Sequence, residues 1–259
     1  TDGNDGRFVD NPDDPRTSAN ESTTSRSTWY QRLHNATSGG NTPLHGALNS
    51  AGAYFSNSDP TGPYGPQSSP NQYSCRQNFA ILTTDGYWNN YQGVDVGNQD
   101  NVGGTNITGP NNQTYTYTAN SPYRDGYSNT LADVAMYYWK RDLRTDSSMT
   151  NNVPTTAKNP AFWQHMVTFG ISIGLKGNKG WTSVEEVPDN ATWADATVEE
   201  NADRIDDLLH AAVNSRGAFV SASDPAEFTA GLGLALAAIA ERTSSYSTVS
   251  SHSVSLDTG

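Results

Sequence analysis

Two kinds of apolar segment alternate along the chain, and this alternation constrains the fold more than any other feature. Short continuous apolar runs are typical of strands that are buried on both faces of a parallel sheet. Longer segments with apolar residues at helical spacing separate these runs. The order predicts an α/β fold, a parallel sheet with helices on both faces. The strands are predicted near 79–83, 166–173 and 218–223, and the helices near 43–55, 128–143, 201–217 and 224–242.

Helix boundaries follow from residues that favour helix ends. Thr42 is a suitable N-cap and Pro43 suits the first helical position. Gly217 is predicted to end the third helix. Asp224 is predicted to cap the fourth helix, with Glu227 completing a capping box.

Polar insertions surround these elements. Only 34% of the 259 residues are hydrophobic, while glycine and proline are numerous. This composition predicts a folded core that carries long polar loops, placed here at 57–75 and 86–127. The alternating segment QTYTYTA in the second insertion predicts a strand of a hairpin.

The charge balance excludes some partners. The net charge is −12 and the isoelectric point is about 4.6. Nucleic acids and anionic membrane surfaces need a basic face, so neither is an expected partner. Cys75 is the single cysteine, which excludes an internal disulfide framework. No apolar run approaches the roughly 20 residues that span a bilayer, so no transmembrane segment is expected.

Thr42 and Asp85 form the first candidate site. Ligands of parallel sheets bind beyond the carboxyl ends of the strands, and Asp85 follows the first predicted strand directly. A hydroxyl and a carboxylate at one crevice are oxygen ligands that suit Mg²⁺ or Ca²⁺. The alternative is structural: Thr42 only caps a helix, and Asp85 with Gly86 only forms a turn. Spacing alone favours that alternative.

Three other patterns carry less weight. GISIG, residues 170–174, matches the pattern around a hydrolase nucleophile, but no helix is predicted directly after Ser172. DSSMT, residues 146–150, matches a metal-loop pattern, but it follows a helix instead of a strand. His165 and His210 lack metal-ligand spacing and are predicted to pack or cap.

Several segments together resemble a known family, the von Willebrand factor A-like region of the PilY1/PilC-type pilus-tip adhesins. The resemblance runs from about residue 40 to the end of the chain. TDGYWN and SNTLADVAMYYW are its most specific segments. The others are GGNTPLHGALNSAGAYF, CRQNFAILT, NPAFWQHMVTFGISIGL and DDLLHAAVNSRGAFVSASDPAEF.

The resemblance implies a metal-dependent adhesion site. Thr42 and Asp85 match its threonine and its second aspartate, whereas the D-x-S-x-S loop has no counterpart in this chain. It also implies that the three predicted strands are the second half of a six-stranded sheet. The fold expected is therefore a partial von Willebrand A-like, Rossmann-like domain. Strand 79–83 is then expected to pair with an upstream part of the same protein or with another chain.

These implications give the expected organisation and function. Residues 1–39 are a polar segment continuing an upstream part of the domain, 40–243 are the von Willebrand A-like domain, and 244–259 are an exit strand toward a further domain. The expected function is a non-enzymatic one, in cell-surface adhesion and type IV pilus biogenesis. The partners would be minor pilins and host or surface receptors, and the location the extracellular pilus tip. The alternatives are a structural surface or filament protein without metal, and a serine hydrolase using Ser172.

Overall fold

The computed structural model confirms a mixed α/β fold with a parallel sheet. It describes residues 42–65, 70–89 and 94–251, together with 31, 34 and 35, and their side chains as far as Arg242. Short 3-10 turns lie at Pro110–Asn112 and Val184–Glu186. The helices and strands are α1 (Leu44–Phe55), β1 (Asn78–Thr84), β2 (Ile107–Thr108), β3 (Thr114–Tyr115), α2 (Leu131–Trp139), β4 (Met166–Ile173), α3 (Asp203–Asn214), β5 (Phe219–Ala222) and α4 (Pro225–Ser251).

The main sheet has three parallel strands in the order β1-β4-β5. β4 lies in the middle and is buried along nearly its whole length, as its continuous apolar sequence predicts. β1 pairs with β4 from Asn78 opposite Met166 to Thr84 opposite Ser172. The predicted hairpin also forms, as the short antiparallel pair of β2 and β3.

Helices cover both faces of this sheet. Leu82 and Met166 face a core that contains α1, α2 and α3, with Leu48, Val134 and Leu208 among its buried residues. On the other face, Phe169 and Val167 pack against Ala235 of α4, and Phe79 and Ile81 lie half-buried beside them. A second aromatic core holds the hairpin and includes Trp139 and Trp163, both fully buried.

A carboxylate from α3 fixes the beginning of α2. Asp207 is buried, and its two oxygens accept hydrogen bonds from the backbone N–H groups of Leu131 (2.8 Å) and Ala132 (3.0 Å). These N–H groups have no partner within their own helix. Thr130 and Asp133 complete the same helix end with a capping box. Two helices that are distant in sequence are thereby held in one arrangement.

Two predicted helix boundaries are corrected by the structure. α1 begins at Leu44 with Pro43 as N-cap and no side-chain cap, so Thr42 is not the N-cap; its backbone N–H and carbonyl are bonded to Asn89. α3 ends at Asn214 with Ser215 as its C-cap, so Gly217 is not the residue that ends it; Arg216 follows in the left-handed conformation (φ 62°).

The fourth helix keeps its predicted cap but runs further than predicted. Asp224 accepts hydrogen bonds from the N–H groups of Ala226 and Glu227. Glu227 accepts from Ser223, one residue before the cap. Residues 244–251 continue α4, so the prediction of an exit strand at 244–259 is wrong for them. Residues 252–259 and most of 1–39 lie outside the described residues, and no described helix is long and apolar enough to cross a membrane.

Gly217 has a different structural role, which gives a testable contrast. A Cβ atom on Gly217 would lie 1.8 Å from the carbonyl oxygen of Thr168 in β4, whereas a Cβ on Gly233 of α4 would meet nothing within 4 Å. We predict that Gly217→Ala lowers the free energy of unfolding by about 2–4 kcal/mol, because backbone must move. Gly233→Ala should instead raise it by roughly 0.5–1 kcal/mol, since alanine favours helix. Urea unfolding of both variants measures this, and equal effects would contradict the proposed packing.

Candidate functional site

The loop that follows β1 is anchored by its tryptophan. Trp88 is fully buried, and its indole N–H donates to the carbonyl of Arg204 in α3 (3.1 Å). The Arg204 guanidinium lies 4.4 Å from the Trp88 ring centroid and donates to the Trp88 carbonyl. His45 of α1 contacts the same ring edge-on, with centroids 4.2 Å apart. The segment TDGYWN therefore joins β1 to two helices through one side chain.

Thr42 lies beside this loop. Its backbone N–H donates to the Asn89 side chain, and its carbonyl accepts from the Asn89 N–H (3.0 Å). Asp85 directly follows β1 and is exposed, while Thr42 is half-buried. An oxygen-binding cation needs six or more ligands, so these two residues would supply a minority of them. In the part of the chain that the structure describes, Asp85 belongs to no group of three potential metal-ligating side chains.

The other candidate residues have structural surroundings. Ser172 is fully buried inside β4, and its hydroxyl donates to the carbonyl of Leu175 (2.8 Å). Asp146 lies between α2 and β4, where it pairs with Arg144 (3.0 Å) and accepts from Ser148. His165 is buried between the Trp163 carbonyl and the Asn159 amide, as predicted for a packed histidine.

A different cluster was not predicted from the sequence. Asp100, Asp125 and His210 each offer one ligand atom, and the three atoms lie within 4.8 Å of one another. His210 was correctly predicted to pack, since its ring stacks on Trp193 with centroids 4.0 Å apart. No short motif marks these residues, because they come from two loops and a helix that are far apart in sequence.

Burial dominates the electrostatics of this region. It raises the pKa of Asp100 to about 8, helped by the negative charges of Asp125 and Asp133. Burial likewise raises the pKa of Asp125 to about 7 and that of Asp207 to about 8. The same loss of solvation lowers the pKa of His210 to about 3.

A groove runs along the free edge of β1. Its volume is about 1380 Å³, and α1 forms its other wall. Successive residues of a strand point to opposite faces, yet Phe79, Ala80, Ile81 and Leu82 all line this groove. The groove must therefore follow the strand edge itself, and in the described part of the chain no strand pairs there.

These features define an incomplete parallel α/β domain with a hydroxyl and a carboxylate near one strand end. The chain is 36% identical over 233 residues to the type IV pilus biogenesis factor PilY1 of Pseudomonas aeruginosa strain PAK, and 34% over 232 residues to that of strain PAO1. It is 33% identical over 246 residues to PilY1 of strain UCBPP-PA14. The alignments cover 78–85% of this chain but only 19–20% of the relatives' length.

The similarity supports a relationship of this chain to the PilY1-type pilus biogenesis factors. The chain spans about a fifth of the length of these relatives. No family model matches the chain. No solved structure matches it either.

The raised pKa values predict that the fold loses stability in mild alkali. A carboxyl whose pKa is higher in the folded than in the unfolded chain keeps a proton that the unfolded chain has released, so stability falls as pH rises toward the folded pKa. Burial lowers the pKa values of three histidines, His45, His165 and His210, to about 3 to 4. These histidines make stability rise with pH, but only below about 6.5, the pKa of histidine in the unfolded chain.

We therefore expect the free energy of unfolding to fall by roughly 1–3 kcal/mol between pH 6.5 and 8.5. Asp100→Asn should flatten this slope, whereas exposed Asp189→Asn should leave it unchanged. Urea unfolding at several pH values measures the slope in metal-free buffer. A free energy of unfolding that does not change with pH in the original chain would contradict the raised pKa values of the buried carboxyl groups.

Proposed function

We propose that this chain is a binding domain of a type IV pilus biogenesis factor and acts in adhesion at the extracellular pilus tip. The observation that carries the proposal is the 36% identity to a PilY1 protein over 233 residues. Its partners would be minor pilins and receptors on a host or another surface. The acidic composition, with a net charge of −12, favours protein partners over nucleic acid.

The proposed domain binds and does not catalyse. The hydroxyl of Ser172 supports this, because it is fully buried and donates to a backbone carbonyl. A nucleophilic serine needs a base that accepts its proton and an exposed position for the substrate. A serine hydrolase is therefore the weakest of the alternatives.

The proposed contact with partners is a von Willebrand A-like site at Thr42 and Asp85. The hydrogen bonds between Thr42 and Asn89 hold the helix start against the loop that Asp85 opens. Bound Mg²⁺ or Ca²⁺ would supply a coordination position for an acidic group of the partner. Groups other than Thr42 and Asp85 would supply the remaining ligands of the ion.

Calorimetric titration with Mg²⁺ and Ca²⁺ tests this site in the full-length protein. We expect binding that Asp85→Ala weakens at least about tenfold, since a carboxylate ligand is lost. Asp189→Ala, another exposed aspartate, is the matched control and should bind as the original does. Equal affinity in Asp85→Ala would favour the second candidate, a structural surface or filament protein without metal.

The free edge of β1 is proposed to pair with an upstream part of the same protein or with another chain. An unpaired apolar edge promotes aggregation unless something covers it. The groove beside it follows four residues of β1 and has mainly apolar walls, with Ile81 and Leu82 on one side and Ala47 of α1 on the other.

Ala47→Arg tests this pairing, because its effect on stability should depend on whether the rest of the protein is present. Ala47 is exposed in the described structure, so the substitution should change the stability of the 259-residue chain by less than about 0.5 kcal/mol. In the full-length protein the arginine would meet the pairing segment, and we expect the melting temperature of this domain to fall by several degrees. Ala237→Arg, at an exposed alanine of α4, is the control. The same small effect of Ala47→Arg in both forms would contradict a filled groove.

A further inference from the structure

The cluster of Asp100, Asp125 and His210 joins three separate parts of the chain. Asp100 lies in the turn at 100–101, Asp125 lies in the loop before α2, and His210 is in the middle of α3. Asp100 and His210 are at most 1% exposed, and the Asp125 side chain is 4% exposed. The cluster is distinct from Thr42 and Asp85.

Among the described residues, the two carboxylates of the cluster form ion pairs with His210 alone. Asp100 Oδ2 lies 3.6 Å from Nε2, and Asp125 Oδ2 lies 3.6 Å from Nδ1. Each carboxylate also accepts one backbone N–H through its Oδ1, Asp100 from Asp125 (3.0 Å) and Asp125 from Tyr127 (2.8 Å), so Oδ2 is the oxygen next to His210. Buried charges are found paired or bound to metals.

The hydrogen bond of His210 fixes which nitrogen carries its proton. Nε2 lies 2.7 Å from the Tyr123 carbonyl, which can only accept, so Nε2 is the donor. The Nδ1 lone pair then faces Asp125 Oδ2, another acceptor. A proton or a cation between them would relieve this contact of two acceptors. Donation of the second ring N–H to a backbone carbonyl is the usual arrangement of a histidine that binds a metal.

Asn214 gives an independent indication of a ligand. It is fully buried, and its Nδ2 donates to Asp100 Oδ2 (3.0 Å) and to the Ala132 carbonyl (3.3 Å), yet its Oδ1 has no hydrogen-bond partner among the described residues. An unpaired buried amide oxygen is destabilising. Rotation of the amide by half a turn would break both Nδ2 bonds and place the oxygen beside Asp100 Oδ2, an arrangement that a bound cation would stabilise as a fourth ligand contact.

We propose that Asp100, Asp125 and His210 bind a divalent transition metal of the Zn²⁺ type. One nitrogen and several oxygens match the ligands of Zn²⁺, whereas Ca²⁺ and Mg²⁺ take oxygen ligands. Ligands about 2.1 Å from a tetrahedral ion lie about 3.4 Å apart. The separation of His210 Nδ1 and Asp125 Oδ2 is 3.6 Å, and one ligand atom from each of the three residues lies within 4.8 Å of the other two. The ion is structural, and it ties the 86–127 insertion to α3.

Zinc retention tests the proposal directly. The chelated full-length protein is dialysed against Zn²⁺ buffered at about 10 μM, and the metal is counted by mass spectrometry. We expect about one equivalent in the original protein, in Asp85→Ala and in the matched control Asp189→Asn. Asp125→Asn and His210→Gln should lose that equivalent. Zn²⁺ should also raise the melting temperature by roughly 5–10 °C in the original only.

Co²⁺ absorption provides a readout that does not depend on the variants folding. An intense visible band, typical of four-coordinate Co²⁺, should appear in the original protein and disappear on adding Zn²⁺. The proposal is overturned if the original protein retains no zinc and its melting temperature does not change. It is also overturned if Asp125→Asn or His210→Gln retains the equivalent. The cluster would then share a proton between Asp125 and His210.

Discussion

One-sided pairing of β1 is the constraint on which the structure depends. β4 occupies one edge of β1 over seven residue pairs, from Asn78 to Thr84, and no described strand occupies the other. Phe79 and Ile81 consequently remain half-buried, although their sequence is typical of a strand covered on both faces. β1 has the sequence of an interior strand but lies at the edge of the sheet. A further strand is therefore the partner that would suit its free edge.

The carboxyl end of the same strand is anchored to two helices. Trp88 contacts α1 through His45 and α3 through Arg204, which places the loop after β1 without help from a ligand. Exposed Asp85 is thus carried on a fixed support, which suits a recognition site that needs little reorganisation. Variable polar insertions around a fixed sheet are a common way in which domains acquire binding specificity.

Sequence reasoning predicted the elements better than their ends and contacts. β4 was found over its full range because a buried middle strand leaves a continuous apolar run. The exit strand was wrong because residues 244–251 continue an existing helix, and each added residue gains a hydrogen bond despite weak intrinsic preference. The Asp100–Asp125–His210 cluster has no local spacing, so only the folded loops reveal it. The burial of Arg204 could not be predicted from the sequence either, because arginine is usually exposed.

Hydrogen exchange along β1 tests the central claim, that this strand is paired on both edges in the working protein. Those amides of residues 79–83 that do not bond to β4 should exchange quickly in the 259-residue chain. In the full-length protein they should exchange at least about a hundredfold more slowly, whereas the amides of β4 should be protected in both forms. Equally fast exchange of the β1 amides in both forms would contradict the account.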